Sequence, residues 1–153
     1  MSQYPQGDPA YQSTPPAGQT NFERTMGDIG GSGPLSPQQE RTWATLSHVV
    51  PLALFILSAG TLGFVASLVI YLMYKDRGPF VRQNAANSLN IQIAMGIGVV
   101  VSWIMILTII LSPIGILGLI AVAIWGCVLH ALAAIKANNG EWYKPPMTPD
   151  FVK

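Results

Sequence analysis

Two stretches of this chain, residues 42–74 and 91–135, contain no Asp, Glu, Lys or Arg. Uncharged apolar runs of roughly 18 residues or more read as membrane spans. Only 10% of the chain is charged, where a soluble domain carries about a quarter. The expectation is an all-α fold: an integral membrane four-helix bundle with a disordered N-terminal tail.

Residues 1–37 are rich in Pro, Gly, Gln, Ser and Thr and poor in large apolar groups. Such a segment buries too little surface to offset chain entropy, so it reads as a disordered cytoplasmic tail. The membrane domain is expected over 38–146, followed by a short cytoplasmic tail, 147–153. Ser36 can cap the first helix, Pro37 suits its first turn, and Glu40 lies where the helix dipole favours an acid. The first span, about 43–59, begins at an interfacial Trp43 and contains Pro51, which should kink it. The second, about 62–74, is short for a crossing and ends at Tyr71 and Tyr74, expected as interfacial anchors. The third is expected at about 91–111 and the fourth at about 115–135, with Ser112-Pro113 breaking the chain between them. Two small-residue stripes, Ala59/Gly63/Ser67 and Ala123/Cys127/Ala131, predict close helix contacts. No cleavable signal is visible, so the first span is expected to direct its own insertion.

Between the uncharged blocks lies a polar island, 75–92, holding Lys75, Arg77 and Arg82. Gly78-Pro79 should break the second helix and start a third. In that new helix Gln83, Asn87 and Asn90 fall at spacings of four and three and share a face. Charge sets the topology: the segments before the first span and after the fourth, together with the island, carry every charged residue, and the two other turns carry none. Basic segments stay on the cytoplasmic side, so four spans with both termini cytoplasmic fit a multi-pass membrane protein. Two re-entrant hairpins are the alternative.

Candidate chemistry is sparse. His48 and His130 are the intramembrane ionisable groups, and such groups are functional candidates; a neutral His bonded to a neighbouring helix is the structural reading. Two His make a poor metal site, since zinc wants three or four protein ligands. Cys127 is the lone cysteine, so neither a metal centre nor an internal disulfide is expected. No acid lies within a span, which argues against a proton-coupled antiporter. Enzyme motifs are missing, so no catalytic residue and no cofactor is expected. A net charge of +1 gives no basic face for nucleic acid. The amides Gln83, Asn84, Asn87, Asn90 and Gln92 remain as a polar face, either inter-helix glue at about 1 kcal/mol each or a surface for a partner. Arg41, Lys75, Arg77, Arg82 and Lys136 are expected at the interface with membrane lipids, where basic residues meet anionic headgroups.

Three pieces carry a resemblance: Glu40-Arg41-x-Trp43-Ala44-x-Leu46-x-His48; Lys75-Asp76-x-x-Pro79-Phe80-Val81-Arg82-x-x-Ala85-x-x-x-Leu89-Asn90-x-Gln92; and Ala134-x-Lys136-Ala137-Asn138-x-Gly140-Glu141-x-Tyr143-x-x-Pro146. In order and spacing the chain resembles the small bacterial four-helix membrane family that includes the magnetosome proteins MamF and MmsF. That family is distantly similar to the Tic-twenty component of chloroplast protein import. The resemblance implies four helices in a bacterial cytoplasmic membrane, cytoplasmic termini, homo-oligomers, and protein partners in translocation or membrane assembly. It brings no catalytic residues, and at position 84, often His in such sequences, this chain has Asn. The expected role is therefore a non-enzymatic scaffold or accessory contacting membrane or translocating proteins. The second reading is an oligomeric channel or small transporter, and an intramembrane enzyme ranks third.

Overall fold

A computed structural model describes residues 31–58 and 60–153, together with Thr20 and Ile29. The expected disordered tail falls mostly outside them, as does Ala59 of the first small-residue stripe. Four helices follow in order: α1 Pro37–Leu57, α2 Leu62–Tyr74, α3 Pro79–Leu107 and α4 Ser112–Asn138, with no strand among the described residues. The fold is all-α, as expected. α3 and α4 are long and apolar enough to cross a membrane; at 1.5 Å per residue α3 extends about 44 Å.

The helix starts follow local chemistry. Ser36 accepts from the Gln39 backbone N–H while the Gln39 side chain accepts from the Ser36 N–H, a reciprocal capping box. Pro37, Pro79 and Pro113 all occupy first-turn positions, where the missing N–H costs nothing. Ser112-Pro113, expected to break the chain between the third and fourth spans, therefore opens α4. The turn lies at 108–111, where Ile109 takes a left-handed φ of 60°. The other turn is closed by Gly60, φ 98°, and by the Ser58 hydroxyl, which accepts from the Leu62 N–H.

α1 and α3 each pack against the other three helices, leaving α2 and α4 across from one another. The start of α1, the end of α2, the start of α3 and the end of α4 gather at one end of the bundle. There Ala44, Phe80 and Ala137 form one core cluster, and Leu35, Trp43, Ile70, Tyr74, Val81 and Ala85 form another. Leu35 belongs to the segment read as tail, yet it is buried and its N–H donates to the Arg77 carbonyl. Trp43 and Tyr74 are not interfacial anchors: both are buried, with ring centroids stacked at 4.2 Å. Towards the opposite end the helices open. Ile97, Val100, Trp103, Ile104, Leu107, Ile109 and Ile110 are exposed, a lipid-like surface. A largely apolar groove of about 1050 Å³ lies there, lined by Phe55, Phe64, Met95 and Trp103, with Gln92 also on its wall.

Small residues set the helix approaches, though not all those expected. A Cβ on Gly63 would lie 3.0 Å from the Pro51 carbonyl, so this member of the first stripe is a true contact. On α4 the packing side holds Gly126, Ala133, Ala134 and Ala137, whereas Ala131 is exposed and Ala123 and Cys127 are half-buried. The real contact runs around the helix from the expected stripe because Met95 of α3 fills the space over Gly126.

Candidate functional site

The polar groups of the chain assemble at the charged end of the bundle and just inside it. Glu40, read from sequence as favouring the dipole of its own helix, is fully buried and reaches α3 instead. Its Oε2 accepts from the backbone N–H groups of Phe80, at 2.8 Å, and Val81, at 3.1 Å. Pro79 has no N–H, so these are the first two donors of α3 that can be satisfied, and a carboxylate there also complements the helix dipole. Gly78 makes the approach possible: a Cβ at that position would lie 2.3 Å from the Glu40 carboxyl carbon.

Arg77 corrects the expectation of an interfacial cation. It is 5% exposed, its Nε donates to the Gly33 carbonyl at 2.9 Å, and its guanidinium lies 5.3 Å from the Tyr74 ring centre. The other basic residues are more accessible. Lys75 pairs with Asp76 at 3.8 Å and Lys136 with Glu141, both at the surface. Arg41 lies against Gly140 beside the end of α4, where a cation suits the C-terminal dipole. The bond from Lys136, and then that from Asn139, holds the Glu141 carboxyl below the usual carboxylate range.

The five amides divide between two sides of α3. On the inner side, the Asn84 amide nitrogen donates to the Phe80 carbonyl of its own helix at 2.9 Å, and Gln92 meets His130 Nε2 at 3.2 Å. Ser88, between them in register, bonds Ser67 of α2, Oγ to Oγ 2.8 Å. His130 in turn meets His48 across the bundle, Nδ1 to Nδ1 3.3 Å. With the Gln92 amide donating, neutral His130 carries its proton on Nδ1 and passes a hydrogen bond to His48 Nδ1. The chain Gln92–His130–His48 thus ties α3, α4 and α1 together. No group of three or more His, Cys, Asp or Glu able to hold a metal occurs among the described residues.

On the outer side, Gln83, Asn87 and Asn90 do share a face, and that face is covered by the chain's own C-terminal segment. The Asn87 amide donates to the Tyr143 carbonyl at 2.8 Å. The Asn90 amide donates to the Val152 carbonyl at 2.9 Å, and its oxygen accepts from the Val152 N–H at 2.9 Å. Tyr71 Oη and the Arg82 guanidinium both donate to the Lys153 carbonyl, at 2.9 Å and 3.3–3.4 Å. Sequence reasoning grouped all five amides as one polar face, whereas Asn84 and Gln92 turn inward; it missed the partner of the outer ones because the bonds use backbone atoms of residues with no sequence signature. Next to the covered face lies a polar cleft of about 670 Å³, whose walls include Lys75, Arg82, Gln83 and Lys144.

A family model described as the magnetosome magnetite crystal formation protein family matches residues 39–152, from the start of α1 to the segment seated on α3. No curated protein and no solved structure matches the chain.

Proposed function

The chain belongs to the magnetosome magnetite crystal formation protein family, and from that premise we propose that it is a non-enzymatic membrane scaffold that holds other polypeptides at the charged end of its bundle. One observation carries this reading. The outer face of α3 binds an extended segment through side chains aimed at backbone atoms, the manner in which a docking surface holds a strand. Other buried polar groups bond across helices: Glu40 to α3, Ser67 to Ser88, His48 to His130. They serve to fix the frame.

In this reading all four helices cross the membrane and the charged end faces the cytoplasm, in line with the preference of basic segments for that side. Partners are membrane proteins of the compartment in which crystals form. A polypeptide in transit, the ligand implied by the distant Tic-twenty likeness, presents the same kind of extended backbone. A photo-crosslinking residue in place of half-buried Gln83, which lines the cleft, tests the proposal in native membranes. Defined membrane proteins should be captured, and the yield should fall when Asn87 and Asn90 are both replaced by Leu. Capture of lipid alone, or of the same proteins at undiminished yield, refutes it.

A further inference from the structure

The contact between α3 and the C-terminal segment is unusual in what it reads. Asn90 pairs with both the N–H and the carbonyl of Val152, as a neighbouring strand would. Asn87, Tyr71 and Arg82 likewise take carbonyl oxygens. None of these bonds touches a side chain of the segment. Trp142 against Phe80 and the buried Pro145 anchor the start of the segment, but in its last part Met147 and Phe151 are 85% and 53% exposed and add little to hold it in place. The side-chain ion pair, Lys144 with Asp150, is exposed at both partners, and such pairs contribute little. The segment is therefore held by features that any extended peptide possesses.

We infer that the outer face of α3 is a peptide-binding groove, and that residues 149–153 are its resident occupant, displaced by an extended acidic segment of a partner protein. Charge fixes the acidic character. Once the resident leaves, Asp150 goes with it and Lys144 loses its partner. Arg82 then gives up the Lys153 oxygen for whatever acceptor arrives, and a carboxylate is a strong match for a guanidinium. Lys75 already has Asp76. The emptied groove thus presents two cations, Lys144 and Arg82, lining one cleft with the backbone-reading Asn87. The cleft of about 670 Å³ already open beside the resident gives an incoming strand a place to start.

This inference rests on the docking role proposed above and is tested separately from it. The full chain is placed in lipid nanodiscs, and a fluorescent peptide of residues 147–153, MTPDFVK, is titrated in with anisotropy as the readout. In the native chain the tethered segment competes at an effective concentration on the order of millimolar. Val152→Pro removes the N–H that Asn90 accepts and weakens the resident without touching the bundle. The Val152→Pro chain should bind the peptide about tenfold more tightly than the native chain, or better, the equivalent of one lost hydrogen bond. Adding Tyr71→Phe, which deletes one groove donor, should reverse most of that gain. A peptide with its Asp replaced by Lys should bind more weakly. Equal binding by native and Val152→Pro chains overturns the inference, as does binding unaffected by Tyr71→Phe. If the peptide fails while Gln83 still captures Asn87/Asn90-dependent partners in membranes, the groove's resident is permanent and the docking role stands without it.

Discussion

Removing the Glu40 carboxylate tests whether one acidic side chain locks the charged end of the bundle. Glu40 accepts from two backbone donors of α3 and is itself fully buried. In Glu40→Ala, the Phe80 and Val81 N–H groups lose this acceptor in a site closed to water. A buried donor left unsatisfied costs about 1–3 kcal/mol, and loss of the acid at the helix N-terminus adds up to about 1 kcal/mol more. Allowing for partial relaxation, the expected loss is about 3–5 kcal/mol. Glu40→Gln keeps an oxygen in place and loses only the charge assistance, so it should cost about 1–2 kcal/mol. Gly78 supplies the control. Its φ of 168° is ordinary extended backbone, so the harm in Gly78→Ala comes from the new Cβ, whose three nearest neighbours are all Glu40 carboxyl atoms; overpacking of this kind costs about 1–3 kcal/mol. In Glu40→Ala/Gly78→Ala that Cβ enters vacated space, and the combined cost should fall below the sum by at least about 1 kcal/mol. Reversible unfolding in mixed micelles, followed by helical circular dichroism, measures all four variants against the native chain. Additivity within about 0.5 kcal/mol, or a Glu40→Ala cost below about 1 kcal/mol, would refute the reasoning.

Two glycines of the long helices should respond in opposite directions in the same unfolding assay. A Cβ on Gly115 would sit 2.6 Å from the Ser102 carbonyl oxygen and 2.9 Å from the Ile106 nitrogen, backbone that cannot step aside, so Gly115→Ala should destabilise by about 1–3 kcal/mol. A Cβ on Gly96 meets nothing within 4 Å, so Gly96→Ala should stabilise α3 by up to about 1 kcal/mol. Glu141, whose carboxyl is held low first by Lys136 and then by Asn139, contributes its stabilisation above the usual carboxylate range and loses it as pH falls through its lowered value. An NMR titration of the Glu141 side chain should show the low midpoint, and Lys136→Met should raise it.

The helices were legible because their signals are local. Uncharged runs, Ser36 at a cap, prolines at first turns and Gly78-Pro79 at a break each act within a few residues. The periodicity that puts Gln83, Asn87 and Asn90 on one side of α3 is equally local, and that face is found. What escaped depends on distant chain. Glu40 satisfies its own first turn on paper, and nothing local says that donors forty residues on will claim it. Arg77 reads as an interfacial cation until Gly33 and Tyr74 close over it. Ala123, Cys127 and Ala131 recur every four residues like a packing stripe, but the neighbour on α3 is Met95, whose bulk matches Gly126 instead.

The composition of the first half of α3 has one further explanation. Every residue from Asn84 to Gln92 is buried, which is rare for a helix so rich in amides. A helix enclosed on all sides in a membrane bundle is normally apolar all round, since its neighbours are helices whose backbones are already satisfied. Here α1, α2 and α4 do not complete the enclosure, and the remaining side is closed by an extended segment containing Pro145, Pro146 and Pro149. Such a segment has free N–H and carbonyl groups that no helix or strand of its own has taken up. Leu at 87 and 90 would bury those groups unpaired, at about 1–3 kcal/mol for each; Asn at both positions answers them, and Asn90 answers two at once. The inner side meets a different demand: Ser67 and His130 project from neighbouring helices, and Ser88 and Gln92 meet them. The amides of α3 are thus the mark of a helix packed against irregular backbone on one side and polar side chains on the other. Past Gln92, where the wall becomes apolar groove and lipid-like surface, the same helix turns apolar without a break.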